Sequence, residues 1–96
     1  MKQNYSYPLD PDWSNEELLT VMKIFNDVES AYEGHLNVEK YLADWHAYQQ
    51  VVPAKMTQKQ IDREFEETTS YSIYRVTQAA LHSSAKTIHL TPEDRH

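Results

Sequence analysis

Three polar side chains have the types and positions to do chemistry inside a folded domain: Glu29, Gln49 and Arg75. On a helical wheel, Glu29 lies in the middle of one apolar face and Gln49 in the middle of another. A carboxylate on such a face is costly to bury unless it is paired and hydrogen-bonded. Arg75 is the candidate cation, because it follows two tyrosines. We therefore predict that Glu29 meets Arg75 and that Gln49 or a tyrosine hydroxyl completes a buried polar network.

Two interpretations of this network remain open. As a structural ion pair it would fix how helices pack. As a pocket it would bind a small ligand or carry out a reaction, since perturbed carboxylates cluster at functional sites. The chain has one glycine and contains no phosphate-binding loop, dinucleotide fingerprint or nucleophile elbow. We expect no catalytic residue and a protein that is not an enzyme.

Metal and cofactor chemistry is not expected either. The chain has no cysteine, which excludes disulfides, thiolate nucleophiles and Cys-type zinc or iron–sulfur sites. Its histidines form no i, i+4 pair of the kind that binds zinc on a helix. The five are His35, His46, His82, His89 and His96.

The first predicted helix covers 15–33. Ser14 and Glu17 have the spacing of a capping box, in which each side chain accepts from the backbone amide of the other. The single glycine, Gly34, marks the end of the helix. Its apolar face spans about 120° of the wheel, the width of a core-facing stripe. The face consists of Leu18, Val21, Met22, Phe25, Val28 and Tyr32.

A second helix is predicted over 38–51, because Asn37 is a good N-cap residue. Pro53 disfavours helical geometry at the residue before it and ends the element. Its apolar face again spans about 120°. The face consists of Val38, Tyr41, Leu42, Trp45, Tyr48 and Val52.

Two further helices are predicted over 58–68 and 72–83. Thr57 and Gln60 have capping-box spacing, which places the start of the third helix after Thr57. The apolar positions would stay in phase through a single long helix, but the run TTSYS (68–72) consists of weak helix formers. We therefore predict a kink or short turn near 69–71.

The chain ends are predicted to differ from the bundle. Residues 1–13 contain two prolines and alternating apolar residues, which favour an extended N-terminal arm. Residues 84–96 lack a sustained apolar stripe and are predicted to be a flexible tail. The expected fold is all-α: one domain over 1–83, a bundle of three to four helices with an extended arm. A chain of 96 residues fits one domain.

The charge of −6 restricts the classes of partner. Residues 1–48 hold nine acidic and three basic side chains, whereas 49–96 hold six of each. No basic cluster is evident in the sequence, so nucleic acid is not an expected partner. The first residues lack the apolar run of a secretory signal, and no stretch of about 18 apolar residues could span a membrane. We expect a cytoplasmic protein without a membrane partner.

Several short motifs occur together and in order along the chain. They are YPLD (7–10) with Trp13, Val28-Glu29, Ala31-Tyr32-Glu33, Val52-Pro53, Lys55, Phe65-Glu66 and YSIYR (71–75). With these motifs the chain resembles the YktA-like family of small uncharacterised proteins from Gram-positive bacteria, over roughly Tyr5 to Leu81. The resemblance implies a small all-helical cytoplasmic fold and no assigned activity, so it assigns no site residue. The sequence departs from the family pattern at Ser70, where glycine is expected.

The preferred function is a non-catalytic protein-interaction or regulatory module. Its acidic first half and its aromatic residues would engage another protein or a second copy of the chain. The same aromatic residues could instead fill the space between the arm and the bundle. They are Tyr5, Tyr7, Tyr41 and Tyr48.

The alternative function is a small-ligand-binding protein or a minor enzyme. Its polar site would be built from Glu29, Gln49 and Arg75 in one pocket. Convergence of these three residues would favour this alternative. A packed interior beside an exposed apolar surface would favour the interaction module.

Overall fold

The computed structural model describes residues 7–92, which form helices packed around one apolar core. The predicted all-α class is confirmed, because the only strands in this range form a two-residue pairing. None of its helices is long and apolar enough to cross a membrane. The elements are α1 (Asn15–Glu33), β1 (Leu36–Asn37), α2 (Val38–Val51), α3 (Lys55–Thr69), α4 (Ile73–His82) and β2 (Thr87–Ile88).

Helices α1 and α2 begin at side-chain caps that are local in sequence. The Ser14 hydroxyl accepts from the Glu17 amide at 3.1 Å, and the Glu17 carboxylate accepts from the Ser14 amide at 2.9 Å. The Asn37 side chain accepts from the Lys40 amide at 2.8 Å. These bonds satisfy amides that have no partner within the helix. Both helices have the predicted bounds.

Helix α3 begins earlier than the sequence predicts. Its N-cap is Ala54, and Thr57 lies inside the first turn instead of capping it. Gln60, the other half of the predicted capping box, donates to Glu64 at 3.2 Å. The helix begins at Lys55, two residues after Pro53, and its N-cap residue makes no side-chain hydrogen bond.

A turn separates α3 from α4 at the predicted position. Ser70 has φ 70° and ψ 10°, the left-handed conformation that favours glycine at the end of a helix. Ser72 then caps α4 by accepting from the Arg75 amide at 3.1 Å. Helix α4 covers Ile73–His82, slightly shorter than the predicted 72–83.

The N-terminal arm closes one side of the core. The Tyr7 ring lies 5.1 Å from the Phe25 ring and 5.9 Å from the Phe65 ring, and the two phenylalanine rings stack at 4.8 Å. Aromatic pairs at these separations add attraction to the burial of apolar area. The arm therefore links α1 to α3. Residues 1–6, including Tyr5, lie outside the described residues.

The predicted flexible tail is wrong for the described residues 84–92. Leu36 pairs with Ile88 and Asn37 with Thr87, so β2 covers the α1–α2 connection. The Leu90 amide donates to the Ala31 carbonyl at 2.9 Å, and the Leu90 side chain is buried. Ile88 and Leu90 are two residues apart, the spacing of side chains on one face of a strand. Two such positions form a pattern too short to be recognised by a search for helical periodicity. Residues 93–96 lie outside the described range.

Candidate functional site

Glu29 lies in the interior, but it does not meet Arg75. The Glu29 side chain is 6% exposed and accepts from the Tyr7 hydroxyl at 2.5 Å. Within residues 7–92, no hydrogen bond or ion pair joins Glu29 to Arg75. The predicted pair is therefore wrong. A tyrosine hydroxyl, one of the two groups expected to complete the network, contacts the carboxylate because the arm brings Tyr7 across α1.

Arg75 lies at a wide surface depression between α3 and the start of α4. The depression has a volume of about 540 Å³. It is open to solvent and lined by charged groups, so it lacks the apolar walls that ligand pockets need. Its lining residues are Arg63, Glu66, Glu67, Ser72 and Arg75.

Gln49 lies at a third place, a groove between the end of α2, the first half of α3 and one face of α4. This groove, called the α2–α4 groove below, has a volume of about 260 Å³. Aromatic and aliphatic side chains form much of its surface, and long polar side chains surround them. The lining residues are Trp45, Tyr48, Gln49, Lys55, Gln58, Lys59, Asp62, Ile73, Tyr74, Thr77, Gln78 and Leu81.

Asp62 fixes the relative position of α3 and α4 in the groove. Its carboxylate accepts from the Ile73 amide at 2.8 Å and from the Tyr74 amide at 3.2 Å. These amides begin α4, where a negative charge is favourable. Burial nevertheless raises the pKa of Asp62, and the two amides oppose that shift. The charged form of Asp62 therefore stabilises the contact between α3 and α4 through these two hydrogen bonds.

The base of the groove contains a buried hydroxyl without a hydrogen-bond partner. Tyr48 is 1% exposed, and its hydroxyl contacts no donor or acceptor in the described part of the chain. Burial raises the pKa of this phenol, and the charge of Asp62 raises it further. A buried polar group left unpaired is destabilising. The Tyr48 hydroxyl therefore lies unpaired in the interior, behind the lining of the groove.

Tyr41, two helical turns before Tyr48 on α2, has a hydrogen-bonded hydroxyl in the same core. The Tyr41 and Thr77 hydroxyls are 2.6 Å apart, and Thr77 donates to the Ile73 carbonyl at 2.9 Å. Tyr41 must then be the donor to Thr77, since a hydroxyl has one proton. This bond ties α2 to α4. Burial raises the pKa of Tyr41, as expected for a phenol away from water.

The tyrosines predicted as a partner surface mostly fill the interior. Tyr41 and Tyr48 are buried, and Tyr7 packs on the phenylalanine pair. The large apolar side chains exposed at the groove are instead Tyr74 and Leu81, at 62% and 54% exposure. No feature of the sequence indicated that a groove lies beside Tyr74.

A second cluster of charges, which the sequence did not indicate, joins α1 to α2. Lys40 donates to Asp27 at 3.0 Å and to Asp44 at 2.9 Å. Asp27 is buried, and its Oδ2 atom has no partner in the described residues. Burial, reinforced by the neighbouring Asp44, raises the pKa of Asp27 to about 7. A proton held by Asp27 would be shared with the Asp44 carboxylate, which would satisfy the Oδ2 atom.

Histidines do not build a metal centre in residues 7–92. His35 and His89 have their rings 5.7 Å apart, but no third metal-ligating side chain joins them. The His89 Nδ1 atom lies 2.6 Å from the Gly34 carbonyl oxygen, so it donates to that oxygen. This bond holds β2 against the end of α1. His96 lies outside the described residues.

The fold and the groove define a small helical-bundle protein with a recess walled partly by aromatic and aliphatic side chains. The chain belongs to an uncharacterised protein family, UPF0223, whose family model matches residues 4–89. It is 51% identical over 80 residues to a UPF0223 protein of Streptococcus sanguinis strain SK36, covering 83% of this chain and 87% of that protein. A UPF0223 protein of Streptococcus pneumoniae strain CGSP14 is 50% identical over the same coverage. The Gram-positive resemblance is confirmed at this level, whereas the YktA-like name is not.

Proposed function

We propose that the protein is a non-catalytic interaction module of the cytoplasm and that the α2–α4 groove binds a segment of a partner protein. The supporting observation is the exposure of Tyr74 and Leu81, 62% and 54%, beside a recess whose floor is packed core. Exposed apolar side chains rimmed by polar ones are typical of protein-binding surfaces. Trp45 and Tyr74 supply the aromatic contacts that such surfaces favour.

The size of the groove favours a protein partner over a small ligand. Small-molecule sites usually have volumes of about 300–1,000 Å³ and enclose most of the ligand. The groove has about 260 Å³, slightly below this range, and is partly open to solvent. A recess of this kind suits one anchoring side chain of a partner, with binding energy concentrated at the buried centre.

The small-ligand or enzyme alternative has less support. It required Glu29, Gln49 and Arg75 in one pocket, and these residues lie at the arm contact, the groove and the surface depression respectively. Of the three, only Gln49 lines the groove. An interaction module uses the groove without requiring the other two.

Photo-crosslinking in a Gram-positive host tests this function. A benzoylphenylalanine at position 81 replaces Leu81, and the control places the same residue at position 19. Leu19 is a matched control because it is 63% exposed and does not line the groove. We expect an ultraviolet-dependent adduct with another protein from position 81 and none from position 19.

The specificity of the adduct is checked with a second change in the groove. Trp45→Ala in the position-81 protein should reduce the yield, because Trp45 forms a wall of the recess. Circular dichroism must show that this variant stays helical. Equal adducts from positions 81 and 19, or none from position 81, would contradict the proposed function.

A further inference from the structure

Two lysines without ion pairs lie beside the groove on α3. Lys55 and Lys59 are one helical turn apart, both are exposed, and both line the recess. Within the described chain neither makes a salt bridge, whereas Lys40 contacts two carboxylates. Like charges four residues apart on a helix repel each other. Neither lysine stabilises the fold through an ion pair in the described residues. Together they form a positively charged edge of the groove in a chain of net charge −6.

The start of α3 adds to this positive potential. Its N-cap is Ala54, which provides no side-chain acceptor, and its first turn contains no acidic residue. The N-terminus of a helix carries partial positive charge and unpaired amides, which favour an anion. Helix α1, by contrast, has a capping box and two acidic residues in its first turn. The start of α3 is therefore positive at the same end of the groove as Lys55.

Among the described residues, the groove lining contains one carboxylate, and that carboxylate is already engaged. Asp62 accepts from the Ile73 and Tyr74 amides at the start of α4. The charges of the two lysines therefore exceed the negative charge of the lining. An occupant that carries carboxylates would complement the groove.

We propose that the occupant is an acidic segment of another protein, with an apolar side chain in the recess and carboxylates against Lys55, Lys59 and the start of α3. This inference rests on the proposed function and specifies its partner. Charge complementarity of this kind fixes orientation and raises the association rate.

A second copy of the chain fits this surface less well. In a two-fold dimer the same surface patch meets itself, so Lys55 and Lys59 of one copy would face the same lysines of the other. Each copy also carries a net charge of −6, which opposes association at low salt. The charges of the groove therefore favour a different protein.

Charge reversal tests the inference in the crosslinking experiment. The double variant Lys55→Glu, Lys59→Glu carries benzoylphenylalanine at position 81. The matched control carries Lys23→Glu and Lys86→Glu, which change the net charge equally at exposed positions outside the groove lining. We expect the adduct to fall about tenfold in the groove variant and to change less than twofold in the control.

Peptide binding gives an independent measurement with the purified protein. The probe is a labelled amphipathic peptide in which glutamates flank a leucine face, and its twin has lysine in place of each glutamate. We expect the acidic probe to bind about tenfold more tightly at about 0.05 M salt, with a smaller ratio at about 0.5 M. In the Lys55→Glu, Lys59→Glu variant the preference should reverse.

The outcomes separate the two proposals. An adduct at position 81 that persists after reversal of Lys55 and Lys59 overturns the acidic partner and leaves the interaction function standing. Equal binding of the acidic peptide and its lysine twin also overturns the acidic partner and leaves the interaction function standing. An adduct with a second copy of the chain also overturns the inference. Absence of any adduct at position 81 removes the proposed function and the inference together.

Discussion

Two buried tyrosines on α2 differ in a single hydrogen bond, and this difference predicts opposite effects of the same substitution. Tyr41→Phe removes the bond to Thr77 and should lower the free energy of unfolding by about 1–2 kcal/mol. Tyr48→Phe removes an unpaired buried hydroxyl and should leave stability unchanged or raise it by about 1 kcal/mol.

Urea denaturation of both variants measures this contrast. The two substitutions delete the same atom from the same helix, so each serves as the control for the other. A Tyr48→Phe variant as destabilised as Tyr41→Phe would show that the Tyr48 hydroxyl has a partner in the free protein.

Ser70 adopts a conformation that costs energy for any residue with a Cβ atom. Its φ of 70° ends α3 in the left-handed region. Ser70→Gly should therefore stabilise the protein by about 0.5–1 kcal/mol, after allowing for the greater freedom of glycine in the unfolded chain. Thermal denaturation followed by circular dichroism gives the change. Ser70→Ala keeps the strain and should not stabilise; a gain equal to that of glycine would contradict the explanation.

The stability of the contact between helices α1 and α2 should depend on pH through Asp27. Its pKa is raised to about 7 in the folded protein from an ordinary value of 3.8. The folded state thus binds the proton more tightly than the unfolded state. The resulting stability is present below about pH 4 and is lost as the pH rises through about 7.

Asp27→Asn isolates this effect, because asparagine is neutral at every pH. The variant should match the natural protein near pH 4 and be the more stable of the two near pH 8, measured by urea denaturation at each pH. Glu39→Gln, which removes an exposed carboxylate from α2, is the control. Parallel pH curves for the natural protein and Asp27→Asn would contradict a raised pKa.

The β2 segment should contribute measurably to stability, contrary to the expectation of a flexible tail. Leu90 is 8% exposed, so Leu90→Ala removes buried apolar contacts and should cost about 2 kcal/mol. Leu81→Ala removes the same atoms from an exposed site and should change stability by less than about 0.5 kcal/mol. Equal melting temperatures for the two variants would indicate that the segment does not pack on the domain in solution.

For the whole molecule, a two-fold dimer through the groove would bring the lysines of the two copies together, and the net charge of −6 on each copy repels the other. We expect light scattering coupled to size exclusion to give the mass of one 96-residue chain at micromolar concentration. A dimer mass that returns to the monomer value in Leu81→Ser would place a second copy in the groove. That result would contradict the acidic partner.

Much of the helical architecture was predictable because its signals are local. The capping box of Ser14 and Glu17, the cap at Asn37 and the break at Pro53 act within a few residues of chain, so they give helix bounds without knowledge of the fold. The predicted start of α3 was three residues late. Thr57 and Gln60 have capping-box spacing, but the helix begins at Lys55, and its N-cap, Ala54, makes no side-chain hydrogen bond.

The candidate site was predictable only in part, because its contacts join residues far apart in sequence. The burial of Glu29 followed from its helical face, but its partner was decided by the path of the arm, which brings Tyr7 rather than Arg75 to it. Gln49 lines a groove whose other walls belong to α3 and α4. A helical wheel contains no information about which second helix lies opposite.

An all-α protein, the bounds of α1 and α2 and the burial of a carboxylate were predictable from the sequence, since these depend on caps, periodicity and solvation within one segment. Which groups meet was evident only from the folded chain: Tyr7 with Glu29, Asp62 with the start of α4, and β2 with β1. Such pairs are selected by packing of the whole chain. For the same reason, the groove beside Lys55 and Lys59 could be recognised only from the arrangement of α2, α3 and α4.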